Sequence, residues 1–267
     1  MTVRVLTIAG SDSGGGAGIQ ADLKTITALG AFGMSAVTAL TAQNTVGVRG
    51  VFEVSPEFVA AQIDAVAEDI GVDAAKTGML ASRALIEVVA DRIAWHAIRP
   101  LVVDPVMVAK SGDPLLAEDA RGLMRDLMLP LATVATPNMA EAEVLSERPV
   151  RDLEGMREAA RRVHDLGAQW ALIKGGHLSG DPTDVLFDGR DFHQVARPRV
   201  ETPNTHGTGC AYSAAIAVGL GKGMGVPEAV EWARDALQAG LENALELGQG
   251  AGPLDHGAMF PFAGRTD

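Results

Sequence analysis

The stretch VRVLTI at residues 3–8 is an apolar, β-branched run, and a glycine loop separates it from the helical pattern of residues 19–29. The same alternation of a short strand and a longer helix recurs along the chain. It predicts three further pairs, each a strand followed by a helix: a strand at 35–40 with a helix at 56–70, a strand at 74–76 with a helix at 83–97, and a strand at 101–103 with a helix at 117–127. Two more buried strands follow at 133–135 and 171–173, separated by helices at 140–145 and 153–166. This order predicts an α/β fold with a mostly parallel central sheet and helices on both faces.

The second half of the chain adds an antiparallel edge to this sheet. Residues 184–187 and 192–195 have the pattern of a β-hairpin around the turn Asp188-Gly189. A small flap is expected within residues 34–54. We expect the glycine-rich last 20 residues to lie over the surface, with Phe260 and Phe262 as the anchors. Length and apolar content predict a single domain over residues 1–267.

Composition limits the classes of function. The 267-residue chain carries a formal net charge of −12 and has no basic run, so we expect neither nucleic-acid binding nor binding to an anionic membrane surface. A single cysteine excludes an internal disulfide framework. No apolar run approaches the roughly 20 residues that a membrane span needs. We therefore expect a cytoplasmic protein with a small-molecule ligand.

Glycine and polar residues stand where the predicted strands end. Ligands of parallel α/β sheets bind outside the carboxyl ends of the strands. The six clusters in question are residues 9–12, 41–44, 76–79, 104–106, 136–138 and 174–177. The sequence therefore predicts that these six clusters line one site.

The segment NTHGTGC at residues 204–210 runs directly into an apolar helical stretch, so it predicts a turn that opens a helix. Glycine lets the backbone approach a ligand closely, and the N–H groups of a first helical turn are unpaired. The helix dipole adds about half a positive charge at this end. The turn is therefore a candidate site for a phosphate or for the charge on a transferring phosphoryl group.

Cys210 lies in this same turn. A helix N-terminus and neighbouring cations lower the pKa of a thiol, so we expect a lowered pKa here and a candidate acid, base or nucleophile. The alternative is a small buried hydrophobic residue, which is what most lone intracellular cysteines are. The spacing alone favours neither interpretation.

Two carboxylates and a lysine at strand ends suggest a site for metal and phosphate. Asp104 ends an apolar strand, where a carboxylate is costly to bury without a partner. Asn138 and Glu141 share one face of the next helix. Asp104 and Glu141 are enough for Mg²⁺, which one or two carboxylates hold together with phosphate oxygens. Alternatively, Asn138 and Glu141 form a capping box, which is compatible with metal binding. Lys174 ends another buried strand and is a candidate for neutralising nucleotide phosphates.

Other motifs narrow the class of enzyme. The sequence has neither a P-loop nor a true dinucleotide fingerprint, no Gly-x-Ser-x-Gly elbow, and no histidine spacing typical of zinc. The glycine run at residues 14–18 predicts a flexible loop that lets the backbone approach a substrate, although a plain glycine linker fits it equally well. Asp22 follows in the first helix and would face the site if that loop does; alternatively, it only complements the helix dipole.

Seven motifs, in order, resemble those of the hydroxymethylpyrimidine/phosphomethylpyrimidine kinases of thiamine biosynthesis, which belong to the ribokinase-like superfamily. They lie at residues 9–12, 16–25, 41–45, 76–80, 104–107, 136–142 and 205–210, and the likeness runs from Val3 to about Leu245. The resemblance implies a ribokinase-like three-layer sandwich. It also implies an ATP- and Mg²⁺-dependent kinase that phosphorylates 4-amino-5-hydroxymethyl-2-methylpyrimidine, and then converts the monophosphate to the diphosphate. The relatives are commonly homodimers, so we expect a homodimer.

The resemblance also implies roles for individual residues. Gln43 would hydrogen-bond the aminopyrimidine edge, and the other residues around the ring would be Gly10, Asp22, Met79 and Val106. The catalytic anion hole would consist of Gly207, Thr208, Gly209 and Cys210, with Cys210 replacing the aspartate that serves as base in most of the superfamily. The metal would be held by Asp104 and Glu141, and ATP by Lys174, Asn138 and Thr205.

Two alternative functions and two departures from the family pattern remain. A pyridoxal or pyridoxine kinase is one alternative, because some relatives accept both rings. A non-catalytic pyrimidine-binding protein, which would keep the pocket without transfer, is the other.

Ser13 replaces the proline common in the first loop, and Glu201 stands where an aspartate is usual. Neither residue is expected to touch the chemistry directly.

Overall fold

The computed structural model describes residues 2–107, 120–176, 178–262 and 264. The first three residues of the predicted helix at 117–127, and His177 of the last strand-end cluster, lie outside the described residues. A single domain over residues 1–267 stays a prediction.

The strands form one large sheet and one hairpin. They are β1 (Arg4–Ala9), β2 (Phe32–Val37), β3 (Ala39–Gln43), β4 (Val48–Glu53), β5 (Ala74–Thr77), β6 (Leu101–Val103), β7 (Val134–Ala135), β8 (Trp170–Ile173), β9 (Thr183–Phe187) and β10 (Phe192–Ala196). Within the described residues the large sheet has eight strands in the order β10-β9-β8-β7-β6-β5-β1-β2. In this order, all neighbouring strands between β8 and β2 are parallel, whereas β9 is antiparallel to both β8 and β10. The predicted mixed sheet with an antiparallel edge is confirmed.

Helices cover both faces of this sheet. They are α1 (Gly18–Ala28), α2 (Pro56–Asp69), α3 (Arg83–Trp95), α4 (Arg121–Leu123), α5 (Met139–Ser146), α6 (Leu153–Asp165), α7 (Thr208–Gly221) and α8 (Val226–Glu242). After α4 the chain continues through a π-helical turn, Met124–Met128, and a 3₁₀ turn, Leu129–Leu131. Apolar residues of α2, α3, α5 and α6 pack on one face, and those of α1, α7 and α8 pack on the other. The predicted three-layer sandwich is confirmed.

The local sequence explains these elements. In β1, Leu6 and Ile8 point into one apolar layer and Val5 into the other, as the two-residue repeat of a strand requires. Ser55 caps α2 by accepting a hydrogen bond from the Phe58 N–H at 3.3 Å, and proline follows at the first helical position. The start of α2 is therefore fixed by a side chain that satisfies one of its free backbone N–H groups.

Two differences from the sequence predictions concern the flap and the C-terminal segment. The strand predicted at 35–40 is two strands, β2 and β3, because the chain leaves the large sheet at Thr38 and turns into the hairpin β3–β4. This hairpin is the flap expected within residues 34–54. The prediction of Phe260 as a C-terminal anchor is wrong: it is 60% exposed, whereas Leu254 and Met259 are fully buried. Phe262 packs against the core only partly.

Among the described residues, no helix is both long and apolar enough to span a membrane.

Candidate active site

A cavity of about 710 Å³ opens at the carboxyl ends of the parallel strands. Each of the six predicted strand-end clusters contributes at least one residue to its wall, so all six line one cavity. The predicted residues that line it are Gly10, Gln43, Met79, Asp104, Val106, Asn138, Glu141, Lys174, Thr205, Gly207, Thr208, Gly209 and Cys210. The structure thus brings together every predicted site residue except Asp22, although their individual roles stay predictions.

The turn before α7 depends on a close approach between two loops. Gly207 has a left-handed backbone with φ of 81°. A Cβ at this position would lie 1.8 Å from the carbonyl oxygen of Gly16, so only glycine fits. The Thr208 hydroxyl donates to the Thr205 carbonyl at 2.7 Å and closes the turn. The first turn of α7 therefore lies at the cavity, where the helix dipole favours an anion.

Asp12 fixes the glycine run against this turn, although it is not among the predicted site residues. Its carboxylate accepts hydrogen bonds from the backbone N–H groups of Gly14, Gly16 and Ala17 at 2.8, 3.1 and 2.8 Å. The same carboxylate lies 2.8 Å from His206 Nε2. Burial by itself would raise the pKa of Asp12, but the hydrogen bonds lower it below its ordinary value. In the run predicted as a flexible loop, the N–H groups of Gly14, Gly15, Gly16 and Ala17 are thus all hydrogen-bonded to Asp12.

A completely buried ion pair lies beneath the cavity. Lys76 Nζ is 3.0 Å from both carboxylate oxygens of Asp22, and the Thr7 hydroxyl donates to Asp22 at 2.6 Å. Burial opposes the charge of Lys76, yet Asp22 raises the pKa of this lysine above its ordinary value. Lys76 lines the cavity and Asp22 does not, so a contact between Asp22 and a substrate stays a prediction. A lysine at the end of a predicted buried strand is part of the signal that singled out Lys174, and it could have found Lys76 as well.

The expected lowering of the pKa of Cys210 is wrong. Burial raises the pKa of its thiol to about 11, although the nearby Lys76 ammonium acts in the opposite direction. The carboxylates of Asp22 and Asp104 raise it further. The thiol is therefore neutral near pH 7, because desolvation and two negative charges outweigh one cation.

Asp104 and Lys174 form an ion pair at the first turn of α7. Lys174 Nζ lies 2.8 Å from Asp104 Oδ1, and the Ser213 hydroxyl of α7 donates to Asp104 Oδ2 at 3.3 Å. A Cβ on Gly209 would lie 3.3 Å from Lys174 Nζ, which shows how near this cation is to the turn. Burial opposes the charge of Lys174, but Asp104 and Glu141 raise the pKa of the lysine above its ordinary value. The Lys174 ammonium and the N-terminus of α7 therefore lie close together.

Glu141 and Asn138 form the capping box of α5. The Glu141 N–H donates to Asn138 Oδ1 at 3.0 Å, and the Asn138 N–H donates to Glu141 Oε2 at 2.8 Å. Burial raises the pKa of Glu141 to about 7; Lys174 counteracts this shift and the Asp104 carboxylate adds to it. Among the described residues, no group of three or more His, Cys, Asp or Glu side chains could hold a metal ion. Two neighbouring carboxylates with only oxygen donors nevertheless fit a hard cation that takes its other ligands from phosphate and water.

The Gln43 end of the cavity lies on the hairpin β3–β4. Gln43 is the last residue of β3, and the register of the hairpin shifts between Ala42 and Gln43. The Thr41 hydroxyl lies 3.3 Å from Gln43 Oε1. A Cβ on Gly10 would meet Met79 Sδ at 3.1 Å, so these two residues pack tightly beside this end. A small wall of neutral polar and apolar groups results, which suits a heteroaromatic ring.

The opposite end of the cavity contains residues that the sequence motifs did not indicate. Asp184 accepts a hydrogen bond from the Gly175 N–H at 2.8 Å and lies 3.5 Å from Arg234 Nε on α8. Leu237 and Leu241 of the same helix also line the cavity. Their positions three and seven residues after Arg234 place them on one helix face, which is the only sequence signal they carry. This wall lies beside the Lys174 strand end.

Comparisons with known proteins agree with this geometry. Residues 12–255 match the phosphomethylpyrimidine kinase family. The chain is 53% identical over 253 residues to the hydroxymethylpyrimidine/phosphomethylpyrimidine kinase of Streptomyces coelicolor, covering 95% of this chain and 94% of that protein. It is also 53% identical over 253 residues to the thiamine biosynthesis bifunctional protein ThiED of Geobacter sulfurreducens, covering 94% of this chain and 52% of that protein, so it spans about half the length of this relative.

The fold also has a near relative among solved structures. The ADP complex of Bacillus subtilis pyridoxal kinase is 40% identical to this chain and has a TM-score of 0.91. The alignment covers 97% of this chain and 99% of that chain. This likeness confirms the predicted ribokinase-like sandwich. The family match covers most of the sequence, and the Streptomyces coelicolor relative is identical at 53% of the aligned residues. The chain belongs to the phosphomethylpyrimidine kinase family.

Proposed function

We propose that this cavity transfers the γ-phosphoryl group of ATP to the hydroxymethyl group of 4-amino-5-hydroxymethyl-2-methylpyrimidine, and then a second phosphoryl group to the monophosphate. One observation carries the proposal. The N-terminal turn of α7, the Asp104–Lys174 ion pair and Gln43 all line the same cavity. A transferring phosphoryl group needs positive charge around it, and the pyrimidine needs a polar partner for its ring edge. The names of the relatives and the ADP bound to a structural relative support the same reaction.

The geometry suggests where each substrate binds. The pyrimidine ring lies between Gln43 and Met79, with its hydroxymethyl group toward Cys210. The nucleotide lies along the α8 wall, with its phosphates at Lys174. In the transfer, the substrate oxygen forms a bond to the γ-phosphorus as the bond to the bridging oxygen of ADP breaks, and the hydroxyl proton passes to Cys210 in its thiolate form. Phosphoryl transfer has a loose transition state, so positioning and charge stabilisation supply most of the rate.

Mg²⁺ is part of this proposal. The Asp104 and Glu141 carboxylates fit a hard cation, as their oxygen donors and mutual repulsion indicate. When bound, Mg²⁺ neutralises charge on the β- and γ-phosphates. The chain's own residues hold the site in shape: the capping box keeps the Glu141 side chain in place, and Ser213 and Lys174 fix the Asp104 carboxylate.

The test is direct. The purified protein is incubated with Mg-ATP and the pyrimidine, and the mono- and diphosphate products and ADP are quantified by chromatography. We expect both products in sequence, with ADP equal to the phosphoryl groups transferred. Absence of both products would overturn the proposal. Binding of the pyrimidine without ADP release would instead indicate a non-catalytic binding protein.

A second candidate is pyridoxal or pyridoxine phosphorylation, favoured by the TM-score of 0.91 to a pyridoxal kinase. The kcat/KM values for the pyrimidine and for pyridoxine distinguish the two. We expect a higher value for the pyrimidine, since the relatives with greater sequence identity are named for that substrate. A higher value for pyridoxine would reverse the assignment.

Assembly and location complete the proposal. Leu40 and Phe52 are cross-strand partners on one face of the hairpin and are 50% and 69% exposed. A second copy of the chain would cover this apolar pair, which supports a homodimer. Sedimentation velocity should show a dimer for the unmodified chain and a monomer for the double variant Leu40→Ser/Phe52→Ser; a monomer for both would contradict it. The requirement for ATP supports work in the cytoplasm, which fractionation of cells can test.

A further inference from the structure

Ser13 is bonded to the backbone of Gln43 in both directions. The Ser13 hydroxyl donates to the Gln43 carbonyl oxygen at 2.7 Å and accepts from the Gln43 N–H at 2.8 Å. One hydroxyl therefore satisfies both backbone groups of the residue predicted to contact the substrate ring. Ser13 itself is exposed. Ser13 is not expected to touch the chemistry directly, and its contact with the site runs through the backbone of Gln43.

This contact lies on the open edge of β3. Strand β4 pairs with one edge of β3, and the loop after β1 runs along the other edge. The Ser11 N–H donates to the Ala39 carbonyl at 2.8 Å, and the Thr41 hydroxyl donates to the Ser11 carbonyl at 2.8 Å. The Ser13–Gln43 pair is the next contact along this edge, beside the register shift at Ala42/Gln43. The backbone N–H and carbonyl of Gln43 on this open edge therefore take the Ser13 hydroxyl as their partner.

The loop that carries Ser13 is itself fixed. The neighbouring Asp12 carboxylate is nearly fully buried and accepts hydrogen bonds from three backbone N–H groups as well as contacting His206. The hairpin, in contrast, is mostly exposed from Val48 to Glu53. The Ser13 hydroxyl therefore joins the fixed loop beside the anion turn to Gln43 at the end of β3, and the Gln43 side chain lines the cavity.

We propose that Ser13 is a positioning residue that sets the place of Gln43 and thereby the selectivity of the cavity for the aminopyrimidine ring. This inference rests on the proposed function. A proline at position 13 has no hydroxyl and could make neither bond, so this chain would hold Gln43 by a contact that the common family residue lacks. The effect is expected in recognition of the ring and not in ATP binding, because Lys174 and the α8 wall lie at the other end of the cavity.

The experiment compares Ser13→Ala and Ser13→Pro with the conservative Ser13→Thr. A net neutral hydrogen bond corresponds to a factor of about 2 to 10 in affinity, so we expect the KM for the pyrimidine to rise about 2- to 10-fold in the first two variants. The KM for ATP and the kcat at saturation should stay within about twofold. The ratio of kcat/KM for the pyrimidine to that for pyridoxine should fall by a similar factor. Ser13→Thr keeps the hydroxyl and should keep the original values.

Ser55→Ala is the matched control. It also removes one hydrogen-bonding hydroxyl from an exposed serine, but at the N-cap of α2, and it should lower thermal stability without changing either KM. An unmodified protein that turns over neither ring would refute the proposed function. An active unmodified protein whose Ser13→Ala and Ser13→Pro variants keep its KM and selectivity would refute the role of Ser13 alone. Equal rises in the KM for ATP and for the pyrimidine would also refute it, since they indicate a general loosening of the cavity.

Discussion

Cys210 allows a quantitative test of proton transfer in the proposed reaction. Burial raises the pKa of its thiol to about 11, and the charged groups that face it are Lys76 of β5, Asp22 of α1 and Asp104 after β6. At pH 8 the thiol is three pH units below this pKa, so about one molecule in a thousand carries a thiolate. A thiolate that accepts the substrate proton would therefore limit the rate at neutral pH.

The expected results follow from this fraction. For the unmodified protein, kcat should rise about tenfold per pH unit between pH 7 and 9, because the thiolate fraction does. Cys210→Ala should lower kcat by about 10²- to 10⁴-fold, the usual scale of general-base catalysis, with a smaller change in substrate affinity. Cys210→Asp should retain part of the activity and have a weaker pH dependence, since a carboxyl group in the same surroundings ionises at a much lower pH than a thiol.

The assay measures ADP release at saturating Mg-ATP and pyrimidine from pH 6.5 to 9.5, with product chromatography to confirm transfer. Thermal unfolding of each variant shows whether it is folded under the assay conditions. A Cys210→Ala variant that keeps kcat within about twofold at every pH would refute the reasoning. The cysteine would then only pack the turn, and the N–H groups at the start of α7 with the phosphate-binding cations would carry the reaction without it.

Three further changes test other parts of the structure. Gln43→Met should raise the KM for the pyrimidine and leave the KM for ATP nearly unchanged, because an unpaired polar ring edge is penalised; equal losses for the pyrimidine and pyridoxine would contradict this. Gly207→Ala should lower kcat about 100-fold or more, since its Cβ would lie 1.8 Å from the Gly16 carbonyl and displace the anion turn; a normal kcat would exclude that turn from catalysis. Burial lowers the pKa of His256 in the folded protein to about 4. As the pH falls below 6.5, this histidine binds a proton in the unfolded chain but not yet in the folded one, so the free energy of unfolding decreases between pH 6.5 and 4. In urea unfolding, the free energy of unfolding of His256→Met minus that of the unmodified chain should therefore be larger at pH 5 than at pH 7. An equal difference at both pH values would exclude this cause.

The sequence by itself determined the order of the elements and the place of the site. Apolar periodicity is local, and it predicted β6 at residues 101–103 and α2 from residue 56 correctly. The capping box of Asn138 and Glu141 also depends only on residues three apart. Because the carboxyl ends of parallel strands meet at one edge, polar residues after those strands were enough to predict a shared cavity.

Only the tertiary structure determined the pKa values at the site and the hydrogen bonds that hold its residues in place. The pKa of Cys210 depends on Lys76, Asp22 and Asp104, which are far apart in sequence, and on burial, which no local pattern reports. Ser13 reaches Gln43 across 30 positions because the loop after β1 happens to run along the edge of β3. Desolvation and hydrogen bonding act over a few ångströms in space, so residues distant along the chain set them, whereas helix and strand periodicity is already present in neighbouring residues.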